Sequence, residues 1–384
     1  PIHTSVAFEY GDAQALADVF QGKASGYSYG RQNNPTTSAL EEKVSLMEGG
    51  VASVCFATGM SAITSTMIAL LRTGDHLISS SFLFGNTNSL FNTLKTLGIE
   101  VTFVDATDVN NVVAAVQPNT KAVFVETIAN PCTQVSDLEG IGDYCESNNL
   151  LYIVDNTVTS PYLFQPASVK AGLIINSLTK YIGGHGNALG GAVTETGCYD
   201  WSQFENIYDN YKKGPVSNWG LLQIKKKGLR DTGGTISPES AHHLAIGAET
   251  LALRMERSCE NAATLAGFFE SHPKVKKVFH PSITSHPEHE RAQKLFKHYG
   301  SLMSIELTDQ VDCFDFLNSL EAVVTSSNLG DNRTLGIPVA HTIFYEMGSE
   351  RRASMGISDS MIRLSIGIED QNDLLEDFGH ALSD

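Results

Sequence analysis

Between residues 51 and 194 short apolar runs alternate with amphipathic stretches, and this alternation restricts the fold more than any other property of the chain. Strands are expected at 51–56, 76–81, 100–104, 121–125, 150–154, 171–176 and 188–194. Helices are expected at 40–46, 62–71, 87–97, 108–116 and 135–148. Runs that are apolar throughout fit strands buried on both faces, so the spacing predicts an α/β fold with a mostly parallel central sheet and helices on both faces. In such a sheet ligands lie beyond the carboxyl ends of the strands. Thr58, Phe84, Asn130, Asp155 and Lys180 each fall at or just after such an end, and separate segments therefore converge on one crevice.

The chemistry of that crevice is set by Ser177-Leu-Thr-Lys180 and the glycine-rich Gly183-Gly-His-Gly-Asn-Ala-Leu-Gly-Gly191 that follows. A lysine closing a buried apolar run loses solvation, which lowers its pKa and favours the neutral amine needed for imine chemistry. The competing reading is a lysine whose stem is buried and whose head reaches water. Asp155 ends the preceding strand; it is either a turn residue or a carboxylate facing the same crevice. An amine and a carboxylate at neighbouring strand ends are what pyridoxal 5'-phosphate requires: the lysine forms a Schiff base with the aldehyde, and the acid keeps the ring nitrogen protonated. Thr58-Gly-Met-Ser61, between a strand and a helix, offers free N–H groups at a helix N-terminus, a general seat for a phosphate. The glycine loop does not match GxGxxG and leads towards a strand, so a dinucleotide fold is set aside.

Other features admit two readings. Arg363, in Met361-Ile-Arg-Leu-Ser-Ile-Gly, is either an outward edge residue or a two-pronged clamp for a carboxylate. Tyr29 and Arg31 lie in a stretch of low periodicity, residues 1–45, that reads as an extended arm; they serve either a surface turn or an anion, the latter in a neighbouring subunit. His280, His286 and His289 are broken by prolines and read as a solvated loop rather than a metal site. Residues 205–235 read as irregular and 238–269 as one long helix.

Composition narrows the partners. A net charge of −17 disfavours broad contact with nucleic acid or anionic membrane, both polyanions. Six cysteines without a CxxC pair fit reduced, buried thiols. With no apolar run approaching the length of a membrane span and no basic-then-apolar leader, a cytoplasmic location is expected. At 384 residues more than one domain is expected: an N-terminal arm (1–45), a large cofactor-binding domain (46–235), and a C-terminal domain with its connecting helix (236–384).

Eight motifs in order, over about 340 residues, carry a family resemblance. They are Tyr29-Gly-Arg31 with Asn34-Pro-Thr; Ala57-Thr-Gly-Met60; Val125-Glu-Thr with Asn130-Pro131; Val154-Asp-Asn-Thr157; Ser177-Leu-Thr-Lys180; Gly228-Leu-Arg-Asp-Thr-Gly; Glu249-Thr-Leu-Ala-Leu-Arg; and Ile362-Arg-Leu-Ser-Ile-Gly-Ile-Glu-Asp370. The chain resembles the transsulfuration enzymes of cysteine and methionine metabolism: cystathionine γ-synthase, cystathionine β- and γ-lyases, methionine γ-lyase and the O-acylhomoserine sulfhydrylases. The resemblance implies an aspartate-aminotransferase-like, fold-type I pyridoxal-phosphate enzyme with a smaller C-terminal α/β domain. It implies Lys180 as the Schiff-base lysine and Asp155 on the ring nitrogen. Gly59, Met60, Ser177 and Thr179 would hold the phosphate, joined by Tyr29 and Arg31 of a partner subunit. Phe84 would stack on the ring, and Asn130, Asn328 and Arg363 would meet the substrate, Arg363 through its α-carboxylate. A homotetramer with shared active sites is implied, and no metal.

Within that family the chain departs from common patterns. Phe84-Gly85 stands where a Tyr-Gly pair is usual, and Asn86 where methionine γ-lyases carry a cysteine. Ser327-Asn328 replaces the Glu-Ser of many cystathionine-handling members, and residues 336–346 depart from the usual His-Pro-Ala-Ser segment. Phe84 and Asn328-Leu-Gly-Asp look like sulfhydrylases. The expectation is therefore an enzyme making or breaking a C–S bond, with γ-replacement of the O-acylhomoserine sulfhydrylase or cystathionine γ-synthase type placed just ahead of a cystathionine β- or γ-lyase. Methionine γ-lyase stands behind these, and a catalytically silent binding protein of the same fold is the non-enzymatic alternative.

Overall fold

A computed structural model describes residues 1–383. Two sheets organise it. The larger has seven strands: β1 (Ala52–Phe56), β2 (His76–Ser80), β3 (Glu100–Val104), β4 (Thr120–Glu126), β5 (Leu151–Asp155), β6 (Leu173–Asn176) and β7 (Gly191–Glu195). Their spatial order is β1-β7-β6-β5-β4-β2-β3. β7 runs antiparallel to both its neighbours, and every other pairing is parallel, so β1 points the same way as β2–β6. Side-chain alternation feeds both faces. Val123, Val125, Tyr152 and Val154 enter one core, while Ala122, Phe124, Leu151 and Ile153 enter the other. Strands buried on both faces read as unbroken apolar runs, as these do.

Helices cross between the strands. Those used below are α1 (Ala13–Phe20), α2 (Pro35–Glu48), α3 (Gly59–Leu70) and α4 (Gly85–Thr96). Thr58 caps α3, its side chain accepting from Ser61 N–H, and Asn34 caps α2 through Thr36 and Thr37 N–H. A five-stranded sheet lies beyond residue 270: β8 (Val275–Phe279), β9 (Leu302–Leu307), β10 (Val324–Thr325), β11 (Leu335–Pro338) and β12 (Met361–Ser365), ordered β10-β11-β12-β9-β8. Among the described residues no helix is long and apolar enough to cross a membrane.

Several expectations need correction. Residues 1–45 are not simply extended: α1 is capped by Asp12, and α2 begins at Pro35, where proline at the first turn is tolerated. Residues 205–235 contain a helical run, Trp219–Gln223 continued through the π turn Ile224–Leu229 into Arg230–Thr232. The long helix is two, Pro238–Glu249 and Leu251–Ser271, broken at Thr250. His280 and His286 are buried, not solvated: His280 is held by Ser282 Oγ and Gly300 O, and burial pushes both pKa values down to about 4. Five of the six thiols are buried, but Cys198 is exposed.

Candidate active site

The carboxyl ends of β1, β2, β4, β5 and β6 open on a cavity of about 480 Å³ closed on its far side by residues from the smaller sheet. Its lining brings together Gly59, Met60, Phe84, Asn130, Asp155, Ser177, Lys180, Asn328 and Arg363, nine of the twelve residues named from sequence. Tyr29 and Arg31 lie elsewhere, in a shallow depression with Thr235 and Ser237, where Arg31 donates to Arg230 O at 2.6 Å. Thr179 is engaged with a neighbouring backbone: its hydroxyl donates to Gly190 O at 3.2 Å and accepts from Gly190 N–H at 3.0 Å.

Lys180 sits in a tight turn after β6. Gly184 N–H bonds its carbonyl at 2.7 Å, and Arg254 binds the next two carbonyls, Tyr181 O at 2.6 Å and Ile182 O at 3.1 Å. Gly330, at φ +73°, lets the opposite wall close on this turn, since a Cβ there would meet Tyr181 N at 2.7 Å. Lys180 Nζ donates to Asn328 Oδ1 at 2.6 Å. Burial first, and then the Arg363 guanidinium, bring its pKa down to about 8.

Asp155 closes β5 beside it. Burial raises this carboxyl to about 6, against the hydrogen bonds it accepts from Thr157, whose N–H lies 3.0 Å from Oδ1. Asn156 points the other way, into a buried brace that the sequence did not announce. It donates to Glu48 at 3.0 Å and Asn176 donates to the same carboxylate at 2.6 Å, tying the ends of β5 and β6 to α2.

Arg363 resolves to one of its two readings. β12 is a central strand between β11 and β9, and the period of two sends Ile362 and Leu364 into the helical core and Arg363 to the cavity. It is 2% exposed. One Nη donates to Ser327 O at 3.0 Å and Asn328 O at 2.8 Å, while Nε has no partner. Burial lowers its pKa to about 10, which leaves it fully charged at neutral pH.

The residues fit pyridoxal phosphate. Both polar atoms of the Asn130 side chain are buried without a partner, although buried polar groups are almost always hydrogen-bonded. Gly59 and Met60 open α3 next to Ser177, where first-turn N–H groups have no carbonyl within their own helix. A polar ring substituent and a phosphate answer these two needs. The lining residues given no role from sequence include Glu126, Thr157, Ile343 and Phe344. Glu126 could have been found from its place at a strand end next to Asp155, whereas Ile343 and Phe344 lie in irregular chain with no local signal.

Comparison with known proteins agrees with this geometry. The family model described as Cys/Met metabolism PLP-dependent enzyme matches residues 1–383. An L-methionine gamma-lyase of Fusobacterium nucleatum subsp. polymorphum is 35% identical over 387 residues, covering 100% of this chain and 92% of that protein. An O-acetyl-L-homoserine sulfhydrylase of Leptospira meyeri is 32% identical over 404 residues, covering 100% and 91%. Among solved structures, a Campylobacter jejuni protein described as an O-acetylhomoserine (thiol)-lyase superposes with a TM-score of 0.94 at 31% identity, covering 100% of this chain and 95% of that one; it carries N'-pyridoxyl-lysine-5'-monophosphate. The chain belongs to the Cys/Met-metabolism family of pyridoxal-phosphate-dependent enzymes, which make or break carbon–sulfur bonds in small amino-acid substrates.

Proposed function

We propose that this enzyme carries out γ-replacement on an O-acylated homoserine, with an uncharged sulfur nucleophile. The observation that carries this reading is that the cavity's far wall brings no carboxylate. Among the described residues, the lining carboxylates are Glu126 and Asp155, both on strand ends of the large sheet, while Ser327, Asn328, Leu329, Ile343 and Phe344 on the opposite side are uncharged and Arg363 is its one charge. Cystathionine carries a second ammonium on its distal half, and that group gains little from a wall without a carboxylate. An acyl ester and a small thiol need no counter-charge.

Lys180 is proposed as the attachment point, Asp155 as the partner of the ring nitrogen, and Phe84 as the stacking face. Gly59, Met60, Ser177 and Thr179 would hold the phosphate and Asn130 a ring substituent. When bound, pyridoxal phosphate supplies the electron sink for bond-breaking at the substrate's α-carbon. The chain's own part is to place and move protons. Lys180, half neutral near pH 8, takes the α-proton, and Asn328 Oδ1 accepts one of its N–H bonds, leaving the lone pair free. Arg363 orients the α-carboxylate with the guanidinium edge that has an open Nε.

We further propose a homotetramer in the cytoplasm. Tyr29 and Arg31 lie outside the cavity of their own chain, and Phe20, Leu46 and Leu253 expose large apolar surfaces (70%, 76% and 75%), as an interface between copies requires. All six thiols are unpaired, which suits a reducing compartment. A substrate panel with product identification tests the activity. Thiol-dependent consumption of O-acetylhomoserine is expected; release of 2-oxobutanoate or pyruvate from cystathionine without added thiol, at a higher kcat/KM, would overturn the reading.

A further inference from the structure

The cavity holds a second buried carboxylate that the chemistry above does not use. Glu126 ends β4 as Asp155 ends β5, and the two are register partners across the parallel ladder. Glu126 is 7% exposed and lines the same cavity as Asp155, Lys180 and Arg363. Its Oε1 accepts from Phe84 N–H at 2.7 Å. Phe84 is the residue that leads into α4, and its side chain makes no capping hydrogen bond. The entry to α4 is therefore held from a neighbouring strand, in the role that a glutamate or glutamine three residues into the helix fills in a capping box.

We propose that Glu126 is a positioning residue that anchors Phe84 on the cofactor face of the cavity, and that it acts as a hydrogen-bond acceptor rather than as a charge. Two carboxylates at adjacent strand ends cannot both ionise cheaply away from water. Burial, and then Asp155, raise the Glu126 carboxyl well above its ordinary range, while the Phe84 N–H opposes them. The shared proton rests on Glu126, and Asp155, which lines the cavity with Lys180 and Arg363 and accepts from Thr157, keeps the negative charge. A neutral carboxyl still presents a carbonyl oxygen to Phe84 N–H, so the anchor survives protonation.

The inference rests on the cavity being the cofactor pocket and not on the choice of substrate, and its test needs no turnover. Purified holoenzyme is stripped of cofactor, pyridoxal 5'-phosphate is added back, and affinity and the induced circular dichroism of the bound chromophore are recorded. Glu126→Gln keeps the accepting oxygen and loses the charge; wild-type affinity and dichroism are expected. Glu126→Ala loses the acceptor; affinity about 3- to 10-fold weaker and a diminished dichroic band are expected, the loss of about one hydrogen bond. Glu126→Met fills the volume without an acceptor and replaces the alanine variant if that one does not fold. With Phe84→Ala in the background, the Glu126→Ala loss should largely vanish, because the anchor then holds nothing. The proposal is overturned if the glutamine variant fails as badly as the alanine variant, if removing the acceptor changes neither signal, or if the Glu126 and Phe84 losses add. Unchanged dichroism in Lys180→Ala would instead sink the assignment of the pocket itself.

Discussion

The sheet-side wall of the cavity carries Glu126, Asp155 and Lys180 on the ends of three consecutive parallel strands, while the facing wall is built from residues 326–344 and Arg363 around one central strand of the smaller sheet. On the sheet side the strand ends are braced from behind: Asn156 and Asn176 on Glu48, Arg254 on the carbonyls after Lys180, Thr157 on Asp155. On the facing side Asn328 and Arg363 hold each other through backbone carbonyls, and Ile343 and Phe344 sit in chain without regular structure. A wall built on strand ends has its geometry set by the ladder, and it suits a fixed cofactor. A wall built on loops can vary without disturbing the sheet, and it suits the choice of substrate.

The largest expected effect lies on the sheet side. Lys180→Ala removes both the proposed attachment point and the proposed proton-transferring amine, so turnover should fall by about 10²- to 10⁴-fold, and the near-visible absorbance of the attached cofactor should disappear. Steady-state rates and a spectrum of the purified variant check it. Residual activity within a few-fold of wild type would mean that another group carries the proton, and that the sheet side is scaffold only.

Arg363→Lys probes the facing wall. Lysine keeps the charge but not the fork that can meet a carboxylate along two bonds. A loss of about 1.5–3 kcal/mol from a charge-assisted contact corresponds to roughly 10- to 100-fold in kcat/KM, appearing mainly in KM. Cofactor affinity should stay at the wild-type value. If it falls too, the two walls are not separable in function.

Asp155 returns to the sheet side with a signal in stability. Its folded pKa of about 6 lies above the ordinary 3.8, so the favourable contribution is full below pH 3.8 and is lost as the pH rises through 6. Cofactor-free Asp155→Asn, which cannot ionise, should be more stable than cofactor-free wild type above pH 6, on the order of 1–2 kcal/mol. The gap should close as the pH falls below 4. Denaturant unfolding at pH 4 and pH 7.5 decides it, and with cofactor bound the ranking should reverse, because the acid then has its cationic partner.

The same division governs what could be read from residues alone. Lys180 and Asp155 were legible because a polar group ending an apolar run marks a strand end, and parallel strand ends meet; Phe84 was legible from its place just after such an end and from the family resemblance. Arg363 was ambiguous until the strand order put β12 in the interior, since period alone cannot distinguish an edge from a centre. Glu126 was hidden by its position: finding it requires knowing that β4 and β5 are neighbours in register. Ile343 and Phe344 carry no periodic signal, and His280 and His286 looked solvated because prolines around them suggest a loop, although that loop is packed inward. Tyr29 and Arg31 lie in a separate depression and do not reach the main cavity of their own chain, so one chain's fold does not assign them an anion.

The smallest effect gives the finest separation of the walls. Ser327 is exposed at the cavity rim, and its carbonyl already accepts from Arg363. Ser327→Glu places a carboxylate on the side that otherwise has none, where it can meet the distal ammonium of cystathionine. Such a pair, half in water, contributes roughly 0.2–1 kcal/mol, or about 1.5- to 5-fold. The new charge can also compete for Arg363, which would raise KM for every substrate, so the readout is the ratio of kcat/KM for cystathionine to that for O-acetylhomoserine. That ratio should rise, and the rise should shrink in high salt, because an exposed pair is screened. A ratio that stays constant while both rates fall would show that the rim does not face the distal half of the substrate, and selection would then rest with Ile343 and Phe344, deeper in the same wall.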